Sequence, residues 1–233
     1  AKPAKSAESF RRPIRRAFSE LRFAENPHPT VSILIPVRNK LGLTLDCLSA
    51  VSAAQCEVDF EVLVGDDQSF DSTASTLKSI PGIRLFTRER NVGFLSNVNQ
   101  LALEARGTYL LILNNDTLVL DNWLEPLLGV LEEDKSVGVV GPALLNVDGT
   151  LQDAGGIVYS DGSAANFGRN SDVNLPEVSY SRKVDYITGA ALMVRRQEFL
   201  NGYGPFDVRF EPAYYEDTDL AMIARAEGLS AQF

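Results

Sequence analysis

Four clusters of polar residues in this sequence have the composition of a ligand-binding site. Each cluster follows an apolar run or opens a predicted helix, and a polar cluster at the carboxyl end of a strand is placed to hold a cation or a phosphate. Any one cluster alone is a weak signal, so the prediction rests on all four together. The clusters are Pro36-Val37-Arg38-Asn39, Asp66-Asp67-Gln68-Ser69, Asn114-Asn115-Asp116 and Glu216-Asp217-Thr218-Asp219.

The third cluster is the most informative, because it ends the apolar run Leu110–Leu113, which is too short to span a membrane. Asn115-Asp116-Thr117 also matches a glycosylation sequon, which has meaning only in a secreted chain. The acidic clusters have a second explanation as helix caps or first-turn acids that suit the helix dipole. Capping is the favoured explanation for Ser69 and Asp71.

Alternating strands and helices must position these clusters. The spacing implies right-handed βαβ crossovers and a mainly parallel sheet with helices on both faces. Asp121 is predicted to cap the fourth helix. The predicted strands are 31–36, 60–65, 83–87 and 109–113, and the predicted helices are 41–54, 71–79, 94–105 and 121–133.

Beyond residue 140 the pattern predicts a mixed α/β region. A strand interrupted by Gly155-Gly156 is predicted over 151–160, and a long loop over 161–182 has the composition of loops that often lie over an active site. A buried strand is predicted over 186–194. A helix over 217–227 then ends before Gly228, which stands in a C-terminal capping position.

Composition and charge restrict the functional classes. The 233 residues, 45% of them hydrophobic, suffice for one large domain or two small ones. Net charge is −9, and seven Lys or Arg against three Glu in residues 1–30 leave 15 basic and 28 acidic residues beyond them. The acidic body should repel nucleic acid and anionic lipid. Cys47 and Cys56 have neither disulfide nor zinc spacing and are expected to be buried thiols.

Residues 1–30 are predicted to form a basic N-terminal arm or linker. Its run Arg11–Arg16 also suits contact with anionic lipid or an acidic partner, but solvated linker is the favoured explanation. Neither a signal peptide nor a transmembrane segment is predicted. The expected location is the cytoplasm, with peripheral contact at the inner face of the membrane as a further option.

The clusters and their order closely resemble those of the family-two glycosyltransferases over about residues 31–229, in particular the rhamnosyl-type members that build bacterial surface polysaccharides of the cell envelope. The resemblance implies the α/β fold called GT-A, a mostly parallel nucleotide-binding sheet flanked by helices with a smaller mixed acceptor-side region. It implies a nucleotide-binding half over 31–120 and an acceptor and catalytic half over 121–233. The second half is expected to be incomplete at its C-terminus, within a longer parent chain that has further domains.

The same resemblance implies roles for individual residues. Asp217 is expected to be the catalytic base beside Glu216, and Asp116 the surviving metal ligand of a variant Asp-x-Asp motif. Gly189 and Tyr215 are expected on the acceptor side. Residues expected to bind the nucleotide sugar are Pro36, Val37, Arg38, Asn39, Asp66, Asp67, Arg90, Asn91, Gly93, Asn97, Asn114 and Asn115.

The implied activity is inverting, metal-dependent transfer of a hexosyl or deoxyhexosyl group, with Mg²⁺ or Mn²⁺ as the divalent cation. The donor is expected to be a UDP- or dTDP-sugar and the acceptor a saccharide or lipid-linked hydroxyl. A nucleotidyltransferase and a non-catalytic nucleotide-sugar-binding scaffold domain are the alternatives. Two features depart from the family pattern: His28 is the sole histidine, and the Gln-x-x-Arg-Trp motif of processive synthases is absent.

Overall fold

The computed structural model describes residues 17–233, and the basic run Arg11–Arg16 lies outside these described residues. The strands are β1 Val31–Val37, β2 Phe60–Asp66, β3 Ile83–Thr87, β4 Tyr109–Leu113, β5 Val137–Val140, β6 Leu144–Leu145, β7 Leu151–Asp153, β8 Gly156–Val158, β9 Ala164–Asn166, β10 Lys183–Val184, β11 Ala191–Arg195 and β12 Ser230–Gln232. The α-helices are α1 Leu41–Ala53, α2 Thr73–Leu77, α3 Gly93–Glu104, α4 Glu125–Glu133, α5 Arg196–Asn201 and α6 Glu216–Ala226.

Eight strands form one mixed sheet in the order β10-β12-β5-β11-β4-β1-β2-β3. The pairs β1–β2, β2–β3 and β1–β4 are parallel, whereas β11 is antiparallel to both β4 and β5. The chain leaves β1 toward β2 and β3 and returns on the other side of β1 as β4. This reversal creates a crevice at the carboxyl ends of β1 and β4, where ligands bind in open α/β sheets.

Two apolar layers enclose the sheet, as the strand and helix pattern predicts. Side chains alternate along β1, so Ile33 and Ile35 pack on the face covered by α1 and α4. Leu34 packs on the opposite face, against α3, α5 and α6. Both faces of β1 and β4 are therefore buried, which explains why these strands are continuous apolar runs.

Three local predictions differ from the structure. Asp121 does not cap α4, because its carboxylate accepts a hydrogen bond from Gln55 N at 2.9 Å and the helix begins only at Glu125. The strand predicted over 186–194 is restricted to β11, and Tyr186 contributes only an isolated bridge to Gly156. The strand predicted over 151–160 is divided into β7 and β8 at Gly155, whose φ is +86°.

Other local predictions agree with the structure. The loop over 161–182 includes the short β9 and one 3-10 turn. Asp71 Oδ1 accepts a hydrogen bond from Thr73 N at 2.9 Å at the start of α2, as expected for a capping residue. The Cys47 thiol is buried, and burial raises its pKa to about 12, whereas Cys56, which was also expected to be buried, is only partly buried. Among the described residues, no helix has the length and apolar character required to cross a membrane.

Candidate functional site

The carboxyl ends of β1 and β2 are tied together at one edge of the sheet. Asp67 N donates to Val37 O at 2.8 Å, Asn39 N donates to Ser69 Oγ at 2.6 Å, and Phe70 N donates to Asn39 Oδ1 at 2.9 Å. Ser69 therefore joins the two loops and does not cap α2, contrary to the prediction. The side chains of the expected nucleotide-binding residues Pro36 and Val37 are buried in the sheet.

Arg38 is exposed beyond the end of β1, whereas the neighbouring Asn39 side chain is partly buried by its bonds to the β2 loop. Asn39 has a φ of 57°, in the left-handed region that asparagine tolerates better than most residues. The first cluster therefore divides into two interior residues, one residue that closes the loop, and one cationic side chain in solvent.

Asp66 and Asp67 have different hydrogen-bond environments. Asp67 is 4% exposed, and its carboxylate accepts hydrogen bonds from Val92 N at 2.7 Å and Gly93 N at 2.9 Å. It thereby satisfies free amide groups at the N-terminus of α3. Asp66 is 3% exposed, and its Oδ1 has no hydrogen-bond partner among the described residues. Asp66 is the member of the pair that retains an acceptor for a ligand.

This difference predicts opposite effects from the same substitution at neighbouring positions. We expect Asp67→Asn to destabilise the fold by about 2 kcal/mol, because one buried amide of α3 loses its charged acceptor. Asp66→Asn should leave stability unchanged or raise it, since it neutralises a buried oxygen that lacks a partner. Urea denaturation of the two variants measures both effects, and equal losses of stability would contradict the distinction.

The loop before α3 is positioned by Gln68 and Asn91. Gln68 Nε2 donates to Glu89 O at 3.0 Å and its Oε1 accepts from Asn91 N at 3.1 Å, while Asn91 Oδ1 accepts from Gly93 N at 3.2 Å. Gly93 has a φ of +82°, which favours glycine at this position. Arg90 is exposed next to this loop.

Asn97 lies inside the protein, away from the loop surface. It is 1% exposed, its Nδ2 donates to Gly65 O at 2.7 Å, and its Oδ1 accepts from Arg88 Nε at 3.3 Å. A Cβ at Gly65 would lie 2.3 Å from Asn97 Oδ1, so the glycine permits this close packing. Asn97, expected beside the base and diphosphate, instead joins β2 to α3 in this structure.

The third cluster separates into one residue held by its backbone, one held by its side-chain amide, and one exposed acid. Asn114 N donates to Ala190 O at 2.9 Å, and Asn115 Nδ2 donates to Thr44 Oγ1 of α1 at 2.8 Å. Asp116 is exposed, and its carboxylate has no hydrogen bond or ion pair within residues 17–233. Of the three residues, Asp116 has the carboxylate best placed to meet a ligand.

The residues around Asp116 fit a cation that is bound together with substrate. Hard divalent cations take oxygen ligands, and Mg²⁺ typically uses one or two carboxylates with substrate phosphates and water. No group of three or more His, Cys, Asp or Glu side chains able to hold a metal occurs in the part of the chain that the structure describes. One carboxylate at this edge therefore suits a cation that completes its coordination with a diphosphate.

The fourth cluster reaches the same edge through β11. Gly189 N donates to Asp217 Oδ2 at 2.9 Å, next to the Ala190 carbonyl that binds Asn114, and Thr218 N donates to Asp217 Oδ1 at 2.6 Å. These bonds fix the Asp217 carboxylate while leaving further lone pairs for a ligand. The first turn of α3 also approaches this half, since Ser96 Oγ donates to Glu211 Oε1 at 2.6 Å.

Glu216 and Tyr215 have contrasting exposures at the start of α6. Glu216 is 7% exposed and its Oε2 has no partner among the described residues; burial raises its pKa, and the Asp217 charge raises it further. Tyr215 is 46% exposed and Tyr214 is 82% exposed, and both have positive φ values of 70° and 81°. Such conformations are costly for aromatic residues, and they project both rings outward beside the acidic pair.

Sequence reasoning missed Asp153, the last residue of β7. Asp153 is 2% exposed and neither carboxylate oxygen has a hydrogen-bond partner within the described chain. Burial raises its pKa from 3.8 to about 6, and the Asp217 charge raises it while Gly155 N, Arg169 and Arg182 lower it. An acid within an otherwise apolar strand, followed by two glycines, is the signal that was available in the sequence.

The raised pKa of Asp153 predicts a pH-dependent loss of stability. Below about pH 4 the carboxyl group is protonated in both the folded and the unfolded chain, so it does not change the free energy of unfolding. Between about pH 4 and pH 6 the carboxyl group ionises in the unfolded chain but stays protonated in the folded protein, so the free energy of unfolding falls as the pH rises. Above the folded pKa the full loss of stability is about 3 kcal/mol. We expect Asp153→Asn to raise Tm at about pH 8 and not at about pH 4. The exposed Glu177→Gln is the control, and an equal gain at both pH values would contradict the prediction.

Comparison with known proteins identifies the family. A profile described as Glycosyl transferase family 2 matches residues 32–196. The O-antigen biosynthesis protein RfbC of Myxococcus xanthus is 30% identical over 218 residues, which cover 90% of this chain and 17% of RfbC. The uncharacterized glycosyltransferase YfnE of Bacillus subtilis is 29% identical over 113 residues, or 47% of this chain and 29% of YfnE. The chain thus spans less than a third of either relative.

Solved structures share the fold at low sequence identity. GalNAc-T7 with UDP, GalNAc and Mn²⁺ superposes with a TM-score of 0.73 at 16% identity, covering 90% of this chain and 43% of that one. The mannosyltransferase PcManGT of Pyrobaculum calidifontis with GDP-Man and Mn²⁺ superposes with a TM-score of 0.62 at 17% identity, covering 91% of this chain and 56% of that one. The predicted GT-A fold is confirmed. Since the family profile also matches more than half of its residues, the chain belongs to glycosyl transferase family 2.

Proposed function

We propose that this domain transfers a sugar from a nucleoside-diphosphate sugar to a hydroxyl group of a saccharide or lipid-linked acceptor, with inversion at the anomeric carbon. One observation carries the proposal. Among the acids of the four clusters, Asp66 and Glu216 each keep an oxygen without a partner in the described residues, Asp116 is exposed, and Asp217 is held by two backbone amides with lone pairs to spare. Hydrogen bonds through Ala190 and Gly189 connect the end of β4 to Asp217.

The donor is bound at the carboxyl ends of β1, β2 and β4. Asp66 accepts a hydrogen bond from an N–H of the base, while the exposed Arg38 and Arg90 offer planar guanidinium groups to the diphosphate oxygens. Asp116 would hold a divalent cation, Mg²⁺ or Mn²⁺. When bound, such a cation neutralises charge on the departing diphosphate.

Asp217 carries out the proton transfer. Its carboxylate removes the proton from the acceptor hydroxyl, and that oxygen attacks the anomeric carbon on the face opposite the diphosphate. The bond from the anomeric carbon to the diphosphate oxygen breaks, and the electron pair leaves with the nucleoside diphosphate. Attack from the opposite face inverts the anomeric configuration. Gly189 N fixes the carboxylate orientation, and the exposed ring of Tyr215 provides an apolar wall for the acceptor.

Two similarities support the choice of substrate class. GalNAc-T7 and PcManGT share the fold and were solved with UDP and GDP-Man, each together with Mn²⁺. RfbC is described as an O-antigen biosynthesis protein, which favours a polysaccharide product. UDP- and GDP-sugars are therefore candidate donors, together with the dTDP-sugars that the sequence resemblance implies. The division into a donor half at 31–120 and an acceptor half at 121–233, and a cytoplasmic location near the membrane, belong to the same proposal.

A donor panel tests the proposed function. The chain is mixed with UDP-, dTDP- and GDP-sugars, with and without Mn²⁺, and thermal shift reports binding while nucleoside diphosphate release reports turnover. We expect a shift that requires Mn²⁺ and turnover that increases with a saccharide acceptor. Binding without turnover in any longer form of the protein would favour the scaffold alternative, and failure to bind any donor would exclude the proposed function.

A further inference from the structure

Asp153 is a buried acid that the proposed reaction does not use. Its side chain is 2% exposed, and neither oxygen has a partner of full hydrogen-bond geometry among the described residues, although the backbone N–H of Gly155 interacts with the carboxylate and lowers its pKa. A buried carboxylate without a partner is costly, so stable proteins pair such groups or use them to bind a ligand. The Asp153 carboxylate therefore keeps acceptor lone pairs that the Gly155 amide does not use.

The nearby cations do not fill this role. Arg182 donates through Nη2 to Ala154 O at 2.6 Å, and its guanidinium lies 4.3 Å from the centroid of the Phe167 ring. Arg169 is exposed. Both arginines favour the charged form of Asp153 from a distance, but neither forms an ion pair with it. The missing donor is therefore a group that these residues do not supply.

The backbone places Asp153 on the same side of the protein as the proposed base. Gly156 N, three residues after Asp153, donates to Tyr186 O at 2.8 Å, and Gly189 N on the same segment donates to Asp217. The Asp217 charge is among the causes that raise the pKa of Asp153, as expected for two acids close together. Tyr186, the titratable group between them, donates its hydroxyl to Asn166 Oδ1 at 3.0 Å.

We infer that Asp153 accepts a hydrogen bond from an acceptor-sugar hydroxyl that neighbours the hydroxyl deprotonated by Asp217. This inference rests on the proposed function. A phosphate is disfavoured as the ligand group, because two nearby carboxylates would repel it. A sugar hydroxyl is the donor that the proposed acceptor supplies. Asp153 belongs to β7, outside the eight-stranded sheet whose strand ends carry Asp66 and Asp116, which assigns it to the acceptor rather than the nucleotide.

The segment 167–171 lies alongside the part of the chain that contains Asp153. Residues 167–171 pack along β7 through four backbone hydrogen bonds, including Ala154 N to Phe167 O at 3.2 Å and Leu151 N to Ser171 O at 2.9 Å. The carboxylate oxygens are buried in this structure, so a hydroxyl reaches them only if the surrounding side chains move apart. Acceptor specificity then depends on a residue that does not take part in bond formation.

Binding of simple glycosides tests the inference without requiring turnover. The chain, saturated with UDP or GDP and Mn²⁺, is titrated with methyl glycosides of rhamnose, galactose, glucose and mannose, and saturation-transfer NMR measures their affinity. We expect at least one glycoside to bind and Asp153→Asn to weaken it about tenfold, since a hydrogen bond to a charged group is lost. Asp153→Ala should weaken it further, and Glu177→Gln should bind like the unmodified chain.

The outcomes separate this inference from the proposed function. If the nucleotide binds but no glycoside does, or if Asp153→Asn binds glycosides as tightly as the unmodified chain, the inference is overturned while the proposed donor site stands. If no nucleotide binds, the proposed function fails as well. A gain in Tm for Asp153→Asn with unchanged glycoside affinity would assign Asp153 a purely structural effect and would also overturn the inference.

Discussion

Asp217→Asn should abolish sugar transfer while leaving donor binding almost unchanged. An amide cannot remove the proton of the acceptor hydroxyl, and general-base catalysis typically contributes 10²- to 10⁴-fold, so we expect turnover to fall by about 10³-fold. Asn retains an oxygen that can accept from Gly189 N, which keeps the start of α6 in place. The effect should therefore appear in kcat, not in the donor KM.

Nucleoside diphosphate release with acceptor measures this effect, and thermal shift with donor and Mn²⁺ measures binding. Asp219→Asn is the matched control on the same helix, since Asp219 lies two residues further along α6 and is only partly buried. We expect this control to keep its turnover. Similar losses in both variants would show that the charge of the helix start, and not proton removal by Asp217, determines the rate.

Asp116→Ala should remove the metal dependence of donor binding. Asp116 is the sole carboxylate of its cluster. Beside it, the backbone N–H of Asn114 donates to Ala190 O, and the side-chain amide of Asn115 donates to Thr44 Oγ1. Without Asp116 the cation keeps only diphosphate and water as ligands, so we expect donor affinity in Mn²⁺ to fall at least tenfold, by about 1.4 kcal/mol. Affinity measured without metal should change little.

A gain-of-charge variant gives this prediction a second test. Asn115→Asp adds a carboxylate next to Asp116, and Thr44, now bound to the Asn115 amide at 2.8 Å, can reverse its hydroxyl and donate. We expect Mn²⁺-dependent donor binding to be tighter than in the unmodified chain. Titration of donor against each variant at fixed Mn²⁺ distinguishes the cases, and unchanged metal dependence in Asp116→Ala would remove Asp116 from the metal site.

The sequence by itself determined the architecture of the donor half. Apolar runs with helical segments between them predict β1 to β4 closely, because strands buried on both faces need continuous apolar residues. It also located the polar clusters, since each stands where a strand ends or a helix begins. The later strands were predicted less well, because segments of two or three residues such as β6 and β10 carry too little periodicity to be recognised.

Only the tertiary structure decided which members of each cluster are free to meet a ligand. Asp66 and Asp67 are identical residues in adjacent positions, but the Asp67 carboxylate accepts hydrogen bonds from backbone amides 25 and 26 residues away. Asn97 is likewise engaged by Gly65, 32 residues away. Hydrogen-bond partners so distant in sequence leave no local pattern, and the unpartnered state of Asp153 has the same origin. The residue types predict that ligand-binding groups lie at one sheet edge. Packing between remote segments determines which of those side chains remain free to contact a ligand.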